Sequence, residues 1–243
     1  MKTLIFAKRC TKEILRDPIT LAFGLGFPIV LLLLLSAIQA NIPTPLFQIE
    51  KLSPGIAVFG LAFITLFSAT LIAKDRESAF LHRLYTTPLK PINFILGYMI
   101  PLIPISLFQT TVCYLVALFL GLSFSVNIIL SVLTMLPVTV FYISLGLLCG
   151  SILNVKQVGG ICGAMLTNLS AWLSGVWFDL NLVGGAFQKI ARFLPFYHAV
   201  ELQRDAINGN ITTALPHLYV VVFYGIITAS FAVYIFLKQM SKN

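Results

Sequence analysis

The chain has 243 residues, of which 58% are hydrophobic and 10% charged, with a formal net charge of +8 and a mean hydropathy of +0.96. A soluble globular domain carries about 25% charged residues, so eight acids and sixteen bases cannot coat a soluble particle of this size. A soluble enzyme, a disordered chain and a disulfide scaffold are excluded, and the basic excess must answer either to nucleic acid or to the anionic face of a membrane.

Crossing the hydrocarbon core takes about 20 apolar residues, and the chain offers six such stretches. Before the first, Lys2–Arg16 is basic and helix-compatible. Leu4, Phe6, Ala7, Cys10 and Ile14 share a broad apolar face, with Lys8, Arg9, Lys12, Glu13 and Arg16 elsewhere. Asp17-Pro18 ends this helix, so residues 1–18 suit an interfacial cytoplasmic helix; a plain topogenic anchor is the alternative. Ile19–Ile38 is the first span. It follows both acids and bases and no small-x-small cleavage site closes it, which reads as a retained anchor rather than a signal peptide.

Gly55–Ala73 is the second span. In the loop behind it, Phe80, Leu81, Leu84 and Tyr85 stand at i, i+1, i+4 and i+5 among Asp75, Arg76, Glu77, His82 and Arg83. That spacing predicts a short amphipathic helix ending before Pro88. An apolar ridge ringed by charge suits docking to a protein, with lipid headgroups as the alternative. Phe94–Leu120, with Pro101 and Pro104, and Val126–Leu153, with Pro137, are the third and fourth spans, kinked at their prolines. Val158–Phe178, rich in glycine and alanine, is the fifth.

Residues 179–216 form an outer insert. Phe187, Ile190, Ala191 and Leu194 follow one helical face, and Phe193, Pro195 and Phe196 make an apolar corner. His198, Glu201, Arg204 and Asp205 then recur at i, i+3, i+6 and i+7, a pattern of local ion pairs and caps rather than catalysis, since no nucleophile or metal set accompanies them. A pair of short helices dipping into the outer leaflet fits. His217–Leu237 is the sixth span. The fold expected is therefore an all-α membrane protein of six transmembrane helices.

Twelve of the sixteen bases fall in the N-terminal segment, the loops after spans 2 and 4 and the C-terminal tail. The positive-inside rule then puts both termini in the cytoplasm, as an even number of spans requires. The basic charge reads as topology and contact with anionic lipid, not nucleic acid. Cys10, Cys113, Cys149 and Cys162 have no metal-ligand spacing and read as packing residues.

The spans as drawn hold no Asp, Glu, Lys or Arg. Ion-driven pumps need ionisable relays within the bilayer, and there is neither an H-E-x-x-H motif nor a G-x-x-x-x-G-K-[ST] loop. Uphill transport by this chain would need a motor on another polypeptide. The polar residues inside the spans include Gln109, Thr110, Thr111, Thr134, Thr167 and Asn168, whose first role is hydrogen bonding between helices or to a carbonyl; a substrate path is the alternative for Gln109, Thr111 and Asn168. Gly146/Gly150 and Gly159/Gly163 are small-xxx-small pairs that allow close helix approach, within or between subunits.

Arg76-Glu77 after span 2, then Arg83-Leu84-x-x-Thr87-Pro88 and Gly97, resembles the first cytoplasmic loop of ABC-2 type transporter permeases. Leu173-Ser174-Gly175, then Pro195-Phe196-Tyr197-His198 and Arg204, resembles that family's C-terminal signature. Ala79-Phe80 stand where the family often has Gly-Thr, Trp177 where it has a small residue, and Asp179-Leu180 where a proline is common. The resemblance covers the whole chain as a single transmembrane domain with an interfacial helix (1–18), a coupling loop (74–93) and the outer insert (179–216).

It implies the membrane subunit of a bacterial exporter in the cell membrane, paired with a second permease, identical or related. This chain would bind no cofactor; a separate cytoplasmic ATPase would bind ATP and Mg. Arg76, Glu77, Phe80, Arg83, Leu84, Thr87 and Pro88 would form the coupling segment, with Glu77 and Arg83 anchoring and Phe80 and Leu84 filling the groove of the ATPase. Pro195, Phe196, His198, Glu201 and Arg204 would mark the outer insert. The twenty phenylalanines and the absence of a carbohydrate-binding domain lean towards an amphipathic or hydrophobic cargo: a drug, antibiotic, peptide or lipid. A secondary transporter or channel, or a scaffold without transport, is the competing reading.

Overall fold

The computed structural model describes residues 2–43, 47–78 and 91–240, and among them every regular element is helical. In chain order these are α1 (Lys2–Leu15), α2 (Pro18–Leu21), a π-helical turn Ala22–Gly26 running into α3 (Phe27–Ala40), α4 (Ile49–Glu77), α5 (Pro91–Phe119) and α6 (Asn127–Ile152). Then come α7 (Val155–Val158), a π-helical stretch Gly159–Leu166 continuing into α8 (Thr167–Ser174), α9 (Leu180–Val183), α10 (Gly185–Phe193), α11 (Pro195–Ile207) and α12 (Ile211–Met240).

Among the described residues, five stretches are long and apolar enough to cross a membrane: Ala22–Ala40, Ile49–Glu77, Ile92–Phe119, Asn127–Ile152 and Ile211–Lys238. The expected fifth span, Val158–Phe178, is not among them. It is helical from Val155 to Ser174, begins at an Asn154–Gln157 capping box, and stops at Gly175, whose φ of +72° is left-handed. Lys156, Gln157, Asn168 and several glycines dilute its apolar character.

α4 is the axis of the bundle. Of its most apolar window 83% is buried, against 44% or less in the other four long helices. Lipid tails are as apolar as leucine, so close approach and hydrogen bonding must hold the helices together. Gly146 and Gly150 of α6 supply the approach: a Cβ on Gly150 would stand 2.8 Å from the Ala69 Cα, and one on Gly146 2.8 Å from the Ser68 Cβ. Thr65 and Ser68 donate across the same contact to the carbonyls of Tyr142 (2.8 Å) and Ile143 (2.9 Å). Gly163 meets only the Leu66 side chain, and Gly159 meets nothing within 4 Å. α5 and α6 remain helical through their prolines.

α1 packs through Phe6, Ala7, Cys10 and Ile14, all buried, while Leu4, expected on that face, is 63% exposed. Phe6 meets Phe94 and Tyr98 of α5 edge-on and fills the space over Gly97. Thr3 donates to Asn93 at 3.2 Å. The insert is three short helices rather than two. Ala191 is buried, but Ile190, expected beside it, is exposed. Trp177, an unusual residue at its position, packs edge-on against Phe59 of α4 at 5.5 Å.

Candidate functional site

α4 spans 29 residues, about 43 Å at 1.5 Å per residue. Polar clusters bracket it at Lys51 and Asp75, about 36 Å apart on the same rise, slightly more than the roughly 30 Å hydrocarbon core. Between them, Leu52 to Ala73 carry no charged residue.

The cluster at the C-terminal end of α4 is the denser. Asp75 is buried, and Arg9 of α1 donates both guanidinium arms to its two carboxylate oxygens. The Tyr98 hydroxyl donates to Asp75 at 2.7 Å. Arg9 also meets Glu13 at 2.9 Å, and Lys74 lies 3.9 Å from Asp17. A bidentate guanidinium–carboxylate pair fixes orientation as well as charge, so α1, α4 and α5 are tied at one point. Burial opposes the Arg9 charge, but the bond and attraction to Asp75 outweigh it and hold the guanidinium above its ordinary range. Burial, and the nearby Asp75 against the pull of Arg9, raises Glu13. Burial likewise pushes the Cys10 thiol up to about 12, which keeps it an unreactive packing group.

The next two residues tie α4 to further elements. Arg76 donates to the carbonyls of Gly150 (3.1 Å), Ser151 and Leu153 (3.1 Å). These belong to the last turn of α6 and its C-cap Leu153, where carbonyls lack helical partners. Glu77 accepts the Val155 N–H at 2.8 Å, at the N-terminus of α7, where a negative charge is favoured. Asp75, Arg76 and Glu77 thus join the middle of α1, the N-terminal part of α5, the end of α6 and the start of α7 immediately before residue 79.

At the opposite end of α4, Arg204 of α11 donates to Glu201 (2.8 Å), to the Gly175 carbonyl (3.1 Å) and to the Lys51 carbonyl (3.3 Å). It caps the end of α8 and ties it to the first turn of α4. Pro195 opens α11 as its first residue, and Phe196 packs on Phe141 and Tyr142 of α6. His198 Nε2 bonds the Arg192 carbonyl at 2.8 Å, and its Nδ1 lies 2.7 Å from Nδ1 of His217 on α12. Because Nε2 must carry the proton to donate to a carbonyl, His198 Nδ1 accepts from His217. Burial lowers the His198 pKa and raises that of Tyr197.

A third polar set lies inside the bundle. Tyr114 and Ser131 share a 2.6 Å hydrogen bond, Ser131 donates to Gln203 Oε1 at 2.6 Å, and Gln203 Nε2 donates to Thr134 at 3.2 Å. It joins α5, α6 and α11. No group of three or more metal-ligating side chains occurs among the described residues.

The profile of the ABC-2 type transporter family matches residues 1–208. The chain belongs to that family. No individual curated protein matches it. As an ABC-2 type membrane domain it is a permease without an ATPase domain, and permeases of this type generally work with an ATPase subunit.

Of the coupling residues expected in this permease, Phe80, Arg83, Leu84, Thr87 and Pro88 lie outside the described residues. Arg76 and Glu77 are engaged within the chain, on α6 and α7. Of the path residues, Gln109 is buried at α4: its Nε2 reaches the Ala57 carbonyl and the Cys113 Sγ, both at 3.4 Å, and its Oε1 has no partner. Thr111 and Asn168 are exposed and donate back to Leu107 and Ala164 on their own helices, each at 2.8 Å. These three residues do not form one cluster. Asp75, Arg9, Tyr98 and Gln203 emerge only in three dimensions. The sequence marks Asp75 only as one of the charges that follow a long apolar run.

Proposed function

We propose that this permease is the membrane half of an ATP-driven exporter, and that a separate cytoplasmic ATPase docks on residues 79–90 through Phe80, Arg83 and Leu84. The observation that carries this reading is the knot at Asp75, Arg76 and Glu77. A displacement applied to the segment that follows them would be delivered together to α1, α5, α6 and α7, because bonded charges and capped helix ends transmit movement as rigid connections. The chain crosses the bilayer six times, with Val155–Ser174 as the fifth crossing and both termini cytoplasmic. Eight of the twelve described bases from Lys8 onwards lie with the Asp75 end, and Lys51, Lys189, Arg192 and Arg204 with the other.

The fifth crossing exposes Gly160, Ala164, Asn168 and Trp172 along one face. A polar amide and small residues at bilayer depth favour a protein or water-lined neighbour over lipid, which supports pairing with a second permease along this face and a cargo path beside Asn168. Uncharged candidates in that path suit an amphipathic or hydrophobic cargo.

Arg83→Glu with Leu84→Asp tests the docking surface. The double variant is expected to remain folded and in the membrane but to lose co-purification with the ATPase. Retained complex formation with retained cargo-stimulated ATP hydrolysis would overturn the assignment.

A further inference from the structure

Lys8, Lys12 and Arg16 stand at i, i+4 and i+8 of α1 and its C-terminal edge, and so form one line. All three are exposed. The nearby acids are engaged elsewhere: Glu13 and Asp75 with Arg9, and Asp17 with Lys74. Among the described residues, none of the three bases has a carboxylate partner. Beside them Leu4, Ile5 and Leu15 are 63%, 68% and 61% exposed, while the opposite face of the helix is buried on α5.

We infer that the outward face of α1 is a binding site for the phosphate headgroup of an anionic phospholipid. Two independent features select lipid over free phosphate or an acidic protein. The three unpaired cations supply the attraction to a negatively charged leaflet. The exposed Leu4, Ile5 and Leu15 would be costly in water but suit the first methylenes of the acyl chains. α1 also leads within two residues into the helical run that becomes the first candidate span, so its outward face lies where a bilayer surface begins. The inference sharpens the general expectation of lipid contact to three named residues and does not depend on an ATPase partner.

The test uses the full chain in phosphatidylcholine vesicles, with spin-labelled phosphatidylglycerol or spin-labelled phosphatidylcholine as probe, reading the motionally restricted fraction of each. The wild type is expected to prefer phosphatidylglycerol, with the preference falling as salt is raised. Lys8→Gln, Lys12→Gln and Arg16→Gln should each weaken it by about fivefold, while Lys189→Gln leaves it unchanged. The charge-keeping set Lys8→Arg, Lys12→Arg and Arg16→Lys should restore it, separating charge from misfolding. Equal restriction of both probes by the wild type, or an undiminished preference in the triple glutamine variant, would overturn the inference. So would a triple variant that keeps its lipid preference but loses the ATPase, which would make the face a protein-docking surface.

Discussion

Asp75→Asn is the most informative single substitution in the permease. The amide keeps the volume of the carboxylate and can still accept the Tyr98 hydroxyl, now 2.7 Å from Oδ2. It removes the charge that holds both arms of Arg9. Breaking a fully buried ion pair by removing one partner costs about 3–5 kcal/mol. Here Asp75 is 2% exposed but Arg9 is 35% exposed and keeps Glu13, so solvent and the second acid recover part of the loss. About 2 kcal/mol remains, which for a chain of this size lowers the melting temperature by about 4–8 °C. The assay is thermal unfolding in detergent of Asp75→Asn, Arg9→Gln and the double variant. Arg9→Gln leaves the Asp75 carboxylate buried without its cation and is expected to cost more than Asp75→Asn, while the double variant costs less than the sum of the two, giving a coupling energy of about 1–2 kcal/mol. Single effects that simply add, or single effects below about 0.5 kcal/mol, would refute the pairing.

Other outcomes follow from the same geometry. Gly150→Ala should cost about 1–3 kcal/mol, since its Cβ meets the backbone of Ala69, whereas Gly159→Ala meets nothing within the chain and should be neutral or slightly stabilising in the same unfolding assay; equal effects would contradict the α4–α6 contact. Gln203→Leu strips the acceptor from Ser131 and the donor from Thr134 and should cost about 1–3 kcal/mol, with little effect if that set is not buried as described. His198, faced by His217, Glu201, Arg192 and Tyr197, has its pKa lowered by burial. The folded protein therefore binds its proton less readily than the unfolded chain. Its stability contribution is complete above the unfolded pKa of about 6.5 and is lost as pH falls below that value. The melting temperature should drop between neutral and mildly acidic pH in the wild type and less in His198→Phe; identical pH profiles would remove the histidine pair from the account.

The long helices were legible because apolar run length is a strong signal; the Gly146/Gly150 approach was only half legible, because Gly159/Gly163 has the same spacing and meets no backbone within 4 Å. The helix expected at Val158–Phe178 runs instead from Val155 to Ser174. Glycine and alanine made it look apolar, but Asn154 starts the helix three residues earlier and Gly175 stops it. Arg76 reads as part of the coupling segment and Glu77 as one of its anchors, because charges after a span normally meet solvent. In the structure α4 continues past Ala73 to Glu77, which turns those charges onto the ends of α6 and α7. The Asp75 knot was invisible for a different reason: Arg9 and Tyr98 lie 66 and 23 residues away, and no periodicity links such positions. Gln203 stood among more conspicuous charges, and only helix packing distinguishes it from them.

The central claim is that movement entering residues 79–90 reaches the bundle through Asp75, Arg76 and Glu77. Its most direct test places a cysteine at Asn168 on a cysteine-free background and measures the labelling rate in the permease–ATPase complex with and without ATP. ATP should change that rate in the otherwise wild-type complex, and the change should vanish with Asp75→Asn, Arg76→Gln and Glu77→Gln combined while the bound ATPase still hydrolyses ATP. An undiminished ATP effect in that variant would contradict the account.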